Sequence, residues 1–228
     1  MRTILTYILV FLSSFSFGQF AIIQDKDGYC VVMNSPLPDA RATDTLTNGQ
    51  FVYCFSEKGD WIDISYTKNK VEAKGYVSYN KLQLLSTHDT FAVVKKGATS
   101  ITLGRDSMRV MVTQQSFDRS RYKLTFHKES KRQIEKINGK DFWGTDGEMP
   151  HSEYKAIVVS FGKRKIVLPR AALANLFEPR LSATEANYDR ANDIFYIQSA
   201  NSDGAGYYTV IWRIEKGVYK DRYVVYGF

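Results

Sequence analysis

Turn signals recur through residues 27–85 at a spacing that leaves no room for a helix. Asp27-Gly28, Asn48-Gly49, Lys58-Gly59-Asp60 and Gly75 each precede a short run rich in β-branched or aromatic side chains. Glycine supplies the positive φ that tight hairpin turns need, and branched or ring-bearing residues suit a pleated, half-buried surface. Residues 29–33 read as one strand. In the next, Val52 and Cys54 alternate with Phe51 and Tyr53. Residues 61–66 follow the Lys58-Gly59-Asp60 tip, and 75–77 and 82–85 close the unit. The stretch 34–44, with Pro36 and Pro38, reads as a long surface loop, and the polar stretch 67–73 as another. The unit is a string of hairpins.

The remainder, after a boundary at residues 86–90, is also mainly strands. Short β-like runs fall at 91–94, 100–103, 109–113, 122–127, 133–137, 155–161 and 163–168, with turn residues between them. Residues 194–200, 207–214 and 218–226 form a meander without intervening helices, which argues for an antiparallel sheet. One helix is expected at 170–176, opened by Pro169 and ended by Glu178-Pro179. The predicted fold class is therefore mainly β, with a small N-terminal module and a C-terminal antiparallel β-rich domain carrying one short helix.

The first residues, MRTILTYILVFLSSFSFGQ, read as a secretory signal over 1–18: Arg2, a short apolar run, then small and aromatic residues. A spanning helix needs about 20 mostly apolar residues, more than this run supplies. The expected chain is thus periplasmic or secreted, with an N-terminal module over 20–86, a second domain over 91–228 and no membrane span after cleavage. The net charge of +7 falls to +6 when Arg2 leaves with the signal. Its densest basic stretches, 128–132 and 163–165, are short and apart, whereas a nucleic-acid footprint gathers basic residues on one element. A general affinity for anionic surface polymers suits the charge better.

The order Asp27-Gly28-Tyr29, Pro36, Gly49, Val52, Gly59, Trp61, Gly75-Tyr76-Val77 and Leu82 resembles the bacterial SH3-like family over about 60 of the 228 residues. Where that family reads Leu-Asn-Val-Arg-Ser-Gly before its proline, this chain carries Cys30, Val31, Val32, Met33, Asn34 and Ser35. The resemblance implies a small barrel that binds peptide or peptidoglycan. Residues 207–224 resemble the tail of uncharacterised exported bacterial proteins. Rim aromatics of such barrels can form a groove for extended ligands. Tyr29, Phe51, Tyr53, Trp61, Tyr66, Tyr76 and Tyr79 are the candidates; Trp61, Tyr76 and Tyr79, with Asp60 beside them, are expected at the ligand.

The loop 142–150 is Gly-rich and aromatic, and Phe142, Trp143 and Asp146 make it a candidate interaction surface. Catalytic signatures are absent from the sequence. His151-Ser152 and Asp146 supply triad residue types but not triad geometry, and neither a nucleophile elbow nor a His-Glu-x-x-His pattern occurs. The turn at 201–206 lacks the oxygen ligands of a calcium loop. No cofactor, metal site or catalytic residue is expected. Cys30 and Cys54 both sit at inward strand positions, where they could form a disulfide or remain free core thiols. The expected activity is non-catalytic binding of a cell-envelope polymer, peptidoglycan, or of an envelope protein. The alternative is an immunity or inhibitor protein that blocks a toxin or wall hydrolase.

Overall fold

A computed structural model of the chain describes residues 18–69 and 71–226. The expected signal over 1–18 lies outside these residues, apart from Gly18. The protein is mainly β, built from antiparallel sheets, with one four-residue α-helix among the described residues.

The first lobe is a single seven-stranded sheet. Its strands are β1 (Gln19–Ile23), β2 (Tyr29–Met33), β3 (Ala42–Thr47), β4 (Phe51–Lys58), β5 (Trp61–Lys68), β6 (Val71–Ser78) and β7 (Leu82–Leu84). They lie in the order β3-β2-β6-β5-β4-β1-β7. Leu46 of edge strand β3 and Leu82 and Leu84 of edge strand β7 meet the same core, with Ile23, Val32, Val52, Ile64 and Val77 between them. A sheet whose two edges share one core must be rolled. Two expected loops are corrected here. Part of 34–44 is strand, because β3 begins at Ala42; and 67–73 is no loop, because β5 and β6 join through a tight turn at Asn69, φ 52°.

The second lobe is a sandwich of two five-stranded sheets. One runs β15-β14-β11-β10-β9, from β9 (Ala92–Gly97), β10 (Ser100–Arg105), β11 (Met108–Ser116), β14 (Ser152–Phe161) and β15 (Arg164–Val167). The other runs β19-β18-β17-β16-β8, from β8 (Asp89–Thr90), β16 (Thr184–Asp189), β17 (Ile194–Asn201), β18 (Tyr208–Glu215) and β19 (Val218–Val225). Leu103, Val110, Val112, Ile157 and Val159 from the first meet Ile197, Val210, Trp212 and Ile214 from the second. A hairpin of β12 (Leu124–Phe126) and β13 (Ile134–Ile137) packs at one end around Phe177. The helix α1 (Arg170–Leu173) is shorter than 170–176, because Ala174 already has extended backbone.

Period-two alternation explains how the lobes join. On β1, Ala21 and Ile23 enter the rolled core, while Phe20 and Ile22 face the other way. On the second lobe, Val210 and Trp212 enter the sandwich, while Tyr196, Ile211, Tyr223 and Val225 face out. The two outward sets pack together with Phe51 and Tyr53 into a continuous seam. Arg213 ties it further, donating to the Gly49 carbonyl at 2.7 Å with its guanidinium 4.9 Å above the Phe51 ring. The lobes form one packed body.

Cys30 and Cys54 are buried free thiols, not a disulfide. They stand on β2 and β4, which β6 and β5 separate in the sheet, and both act as small core hydrophobes. Burial pushes the Cys30 thiol up to about 11 and the Cys54 thiol up to about 12, from an ordinary 9.0. Burial likewise raises the phenols of Tyr66 and Tyr196 to about 12. The native state therefore binds these protons more tightly than the unfolded chain does. Their stabilisation is complete below the unfolded values and is lost as pH rises through the folded ones. Denaturant midpoints should hold steady to about pH 9 and fall progressively toward pH 12. Neither thiol should react with a disulfide reagent at pH 8 until the protein is unfolded, when both should. A stable midpoint at pH 11, or a thiol reactive in the native state, would contradict this placement.

Candidate functional site

The outer face of β2, β6 and β5 carries a row of side chains that the rolled core does not use. Strand β2 buries Cys30 and Val32 and turns Tyr29, Val31 and Met33 outward. Cross-strand pairing sets Met33 beside Tyr76 and Trp61 beside Ser78. Gly75 is required here: a Cβ at that position would lie 2.4 Å from Val32 Cγ1 and 2.9 Å from the Met33 carbonyl oxygen. That close approach lets β2 cross onto β6 and brings the two outward rows together.

The result is a cleft of about 300 Å³ lined by Tyr29, Val31, Met33, Trp61 and Ser78, with Asp25, Asp27 and Lys81 at its polar end. Tyr29 is 49% exposed, and the indole of the half-buried Trp61 makes no hydrogen bond among the described residues. Asp25 and Lys81 form an ion pair. Lys81, together with the Asp27 amide, holds the Asp25 carboxyl below its ordinary value. The pair is thus internally compensated. Asp27 is exposed at this end, close enough to Lys81 to help raise its ammonium value but without an ion pair or side-chain hydrogen bond among the described residues. A flat, exposed aromatic surface beside one carboxylate can stack an extended ligand and accept hydrogen bonds from it.

The expected ligand residues divide. Trp61 lines the cleft; Tyr76 lies beside it, its hydroxyl receiving a 3.1 Å hydrogen bond from Lys58. Asp60 and Tyr79 sit at the neighbouring hairpin end, where the Tyr79 amide donates to the Asp60 carbonyl at 2.8 Å. They do not line the cleft. Three other candidate aromatics are core: Phe51 and Tyr53 fill the seam, and Tyr66 donates to Asp44 at 3.1 Å from the rolled interior. Tyr29 and Met33 complete the cleft, and their place follows from the inward positions of Cys30 and Val32.

The loop 142–150 meets the 201–206 turn across a second cleft, of about 540 Å³, which includes Asp146, Glu148, His151, Arg180 and Asp203. The loop aromatics point inward: Phe142 packs edge-on to Phe177, and Trp143 lies between Tyr208 and Tyr226. Gly144, at φ 114°, is forced, since a Cβ there would come within 2.4 Å of the Phe177 carbonyl oxygen. His151 Nδ1 stands 3.5 Å from Glu178, whose carboxylate also accepts from the His151 amide and, at 3.0 Å, from the Ser152 hydroxyl. Ser152 therefore spends its proton on a carboxylate, and His151 is not positioned as its base. Glu153, the third acid near this loop in sequence, is withdrawn to another cleft on the far side of β14.

Among the described residues, no group of three His, Cys, Asp or Glu side chains is arranged to hold a metal ion, and no helix is long and apolar enough to cross a membrane. Comparison with protein-family models, with curated proteins and with solved structures returns no match for this chain.

Proposed function

We propose that the protein is an exported, non-catalytic binding protein whose first lobe, a bacterial SH3-like module, holds peptidoglycan at the Trp61 cleft. The observation that carries this reading is the half-buried Trp61 indole beside exposed Tyr29, in a cleft with the exposed Asp27 carboxylate at one end. Sugar rings and stem peptides of the wall present apolar faces that stack on aromatic rings, and their amino groups suit Asp27. The sequence pattern of residues 27–85 and the expected export signal support the same assignment.

The test is co-sedimentation with purified peptidoglycan. Trp61→Ala should lower the affinity at least tenfold, the effect of losing an aromatic anchor worth about 2 kcal/mol. Because the indole is only half-buried, the melting temperature should shift by no more than a few degrees. Unchanged sedimentation of a folded Trp61→Ala protein would reject the cleft as the site. Capture of an envelope protein, without sedimentation on the wall polymer, would move the assignment to a protein ligand.

A further inference from the structure

We infer that the second lobe carries a separate site for an oxyanion, a carboxylate or phosphate on a sugar- or peptide-sized body, in the cleft edged by Arg121, Lys155 and Arg170. This cleft, of about 750 Å³, lies between the end of the β11–β14 pair, the turn at Asn138 beside the open end of the β12–β13 hairpin and the segment 170–177. Its volume falls within the range of about 300–1,000 Å³ usual for small-ligand clefts.

Charge is what distinguishes it. Glu153, the one acid lining the cleft, is buried and fully engaged. One of its oxygens accepts from Gln115 at 2.6 Å and Arg121 at 3.1 Å, and the other from the Tyr122 hydroxyl. That carboxylate offsets one guanidinium. Lys155 and Arg170 remain: both are exposed at the rim, and neither side chain has a hydrogen bond or ion pair among the described residues. Two uncompensated cations facing one recess favour a bound anion, and the guanidinium fork suits both carboxylate and phosphate.

The placement of Lys155 has a structural cause. Along the β11–β14 ladder Thr113 opposes Ala156 and Gln114 opposes Tyr154, so Lys155 is the extra residue of a β-bulge. Bulges re-aim a side chain that regular alternation would direct elsewhere. The Asn138 Oδ1 atom accepts from the Lys123 amide at 2.9 Å, leaving its amide NH₂ as a further donor at the cleft.

The opposite wall is held rigidly although its helix has only four residues. The Ala172 carbonyl accepts from the Trp212 indole and from Arg222, each at 2.8 Å, and Arg222 also reaches the Ala174 carbonyl at 2.8 Å. The Asn175 carbonyl accepts from the Trp143 amide at 3.0 Å, and the Phe177 carbonyl from the Tyr208 hydroxyl at 2.9 Å. A wall clamped before binding leaves little to order when ligand arrives. Ala174 and the edge of Leu173 give that wall an apolar surface for the body of the ligand.

Calorimetric titration of the protein with inorganic phosphate, glucuronate and neutral glucose at low salt tests the inference. Phosphate or glucuronate should bind saturably and glucose should not; the tighter of the two anions identifies the oxyanion, and affinity should fall with added salt. The double variant Lys155→Ala/Arg170→Ala should lose at least tenfold in affinity while keeping its melting temperature, since neither side chain has a partner to lose. Trp61→Ala should bind these anions as the unaltered protein does. Absence of saturable binding by both anions, equal binding by the double variant, or loss of binding on Trp61→Ala alone would each overturn the inference.

Discussion

Phe20→Ala should lower the unfolding free energy by about 3–5 kcal/mol, and it should also uncouple the two lobes. Phe20 is 1% exposed and meets Tyr53 edge-on at 5.1 Å and Tyr223 edge-on at 5.8 Å. It thereby joins the rolled sheet to the outer face of the sandwich. Truncation removes the transfer energy of the ring and both aromatic pairs, each worth about 0.5–1.5 kcal/mol. The strands around the vacancy belong to paired sheets and cannot collapse into it freely, so a cavity term adds to the loss. The tryptophans supply separate probes, Trp61 in the first lobe and Trp143 and Trp212 in the second. Unfolding of the unaltered protein should give coincident transitions by fluorescence and by far-ultraviolet circular dichroism, and Phe20→Ala should separate them. A loss under 1 kcal/mol, or transitions already separate before the substitution, would mean that the seam does not couple the lobes.

Trp212→Ala should be comparably severe, at about 3–5 kcal/mol, but for a different reason. Its indole is fully buried in the sandwich, edge-on to Tyr154 at 5.3 Å, and its N–H supports the Ala172 carbonyl. Trp212→Phe separates volume from hydrogen bonding. It keeps a ring and removes the donor, leaving the Ala172 carbonyl to Arg222 alone, which should cost about 0.5–1.5 kcal/mol, the net worth of one hydrogen bond. Since that carbonyl anchors the segment whose next residues, Leu173 to Phe177, line the cationic cleft, Trp212→Phe should also weaken phosphate or glucuronate binding without removing a charge. Equilibrium denaturation of both variants, followed by anion titration of the phenylalanine one, reads the two effects. Stability within 0.5 kcal/mol of the unaltered protein for Trp212→Phe would assign the Trp212 contribution to packing alone.

The hairpins were legible where turn chemistry marks them. Lys58-Gly59-Asp60 and Lys216-Gly217 stand at connections between paired strands, whereas Asn48-Gly49 joins β3 to β4, which are not neighbours in the sheet. Strand β16 went unread because its buried positions include Thr184, Asn187 and Asp189. Their polarity is internally satisfied, as when Asp189 accepts from the Ala191 amide at 3.0 Å and from the Asn192 side chain at 2.6 Å. Polar residues bonded in this way look like loop residues in a sequence. The role of β1 was hidden for the opposite reason: buried on both faces, Phe20 to Ile23 has no alternation to read. Of the two clefts argued for binding, the aromatic one was partly visible through Trp61 and Tyr29. The cationic one was not, because Arg121, Lys155 and Arg170 come from separate stretches. The denser basic runs at 128–132 and 163–165 do not contribute to it.

The seam also sets an order of events for the growing chain. It is closed by contacts such as Ser65 to Tyr223 and Gly49 to Arg213, between residues 158 and 164 positions apart. Closing so long a loop is entropically unfavourable until the contacts at its ends reward it, which makes such steps slow. As synthesis proceeds from the N-terminus, Phe20 and Ile22 emerge early and must wait, apolar and uncovered, until β18 and β19 exist. A chain with that delay is open to aggregation and to capture by holdase chaperones.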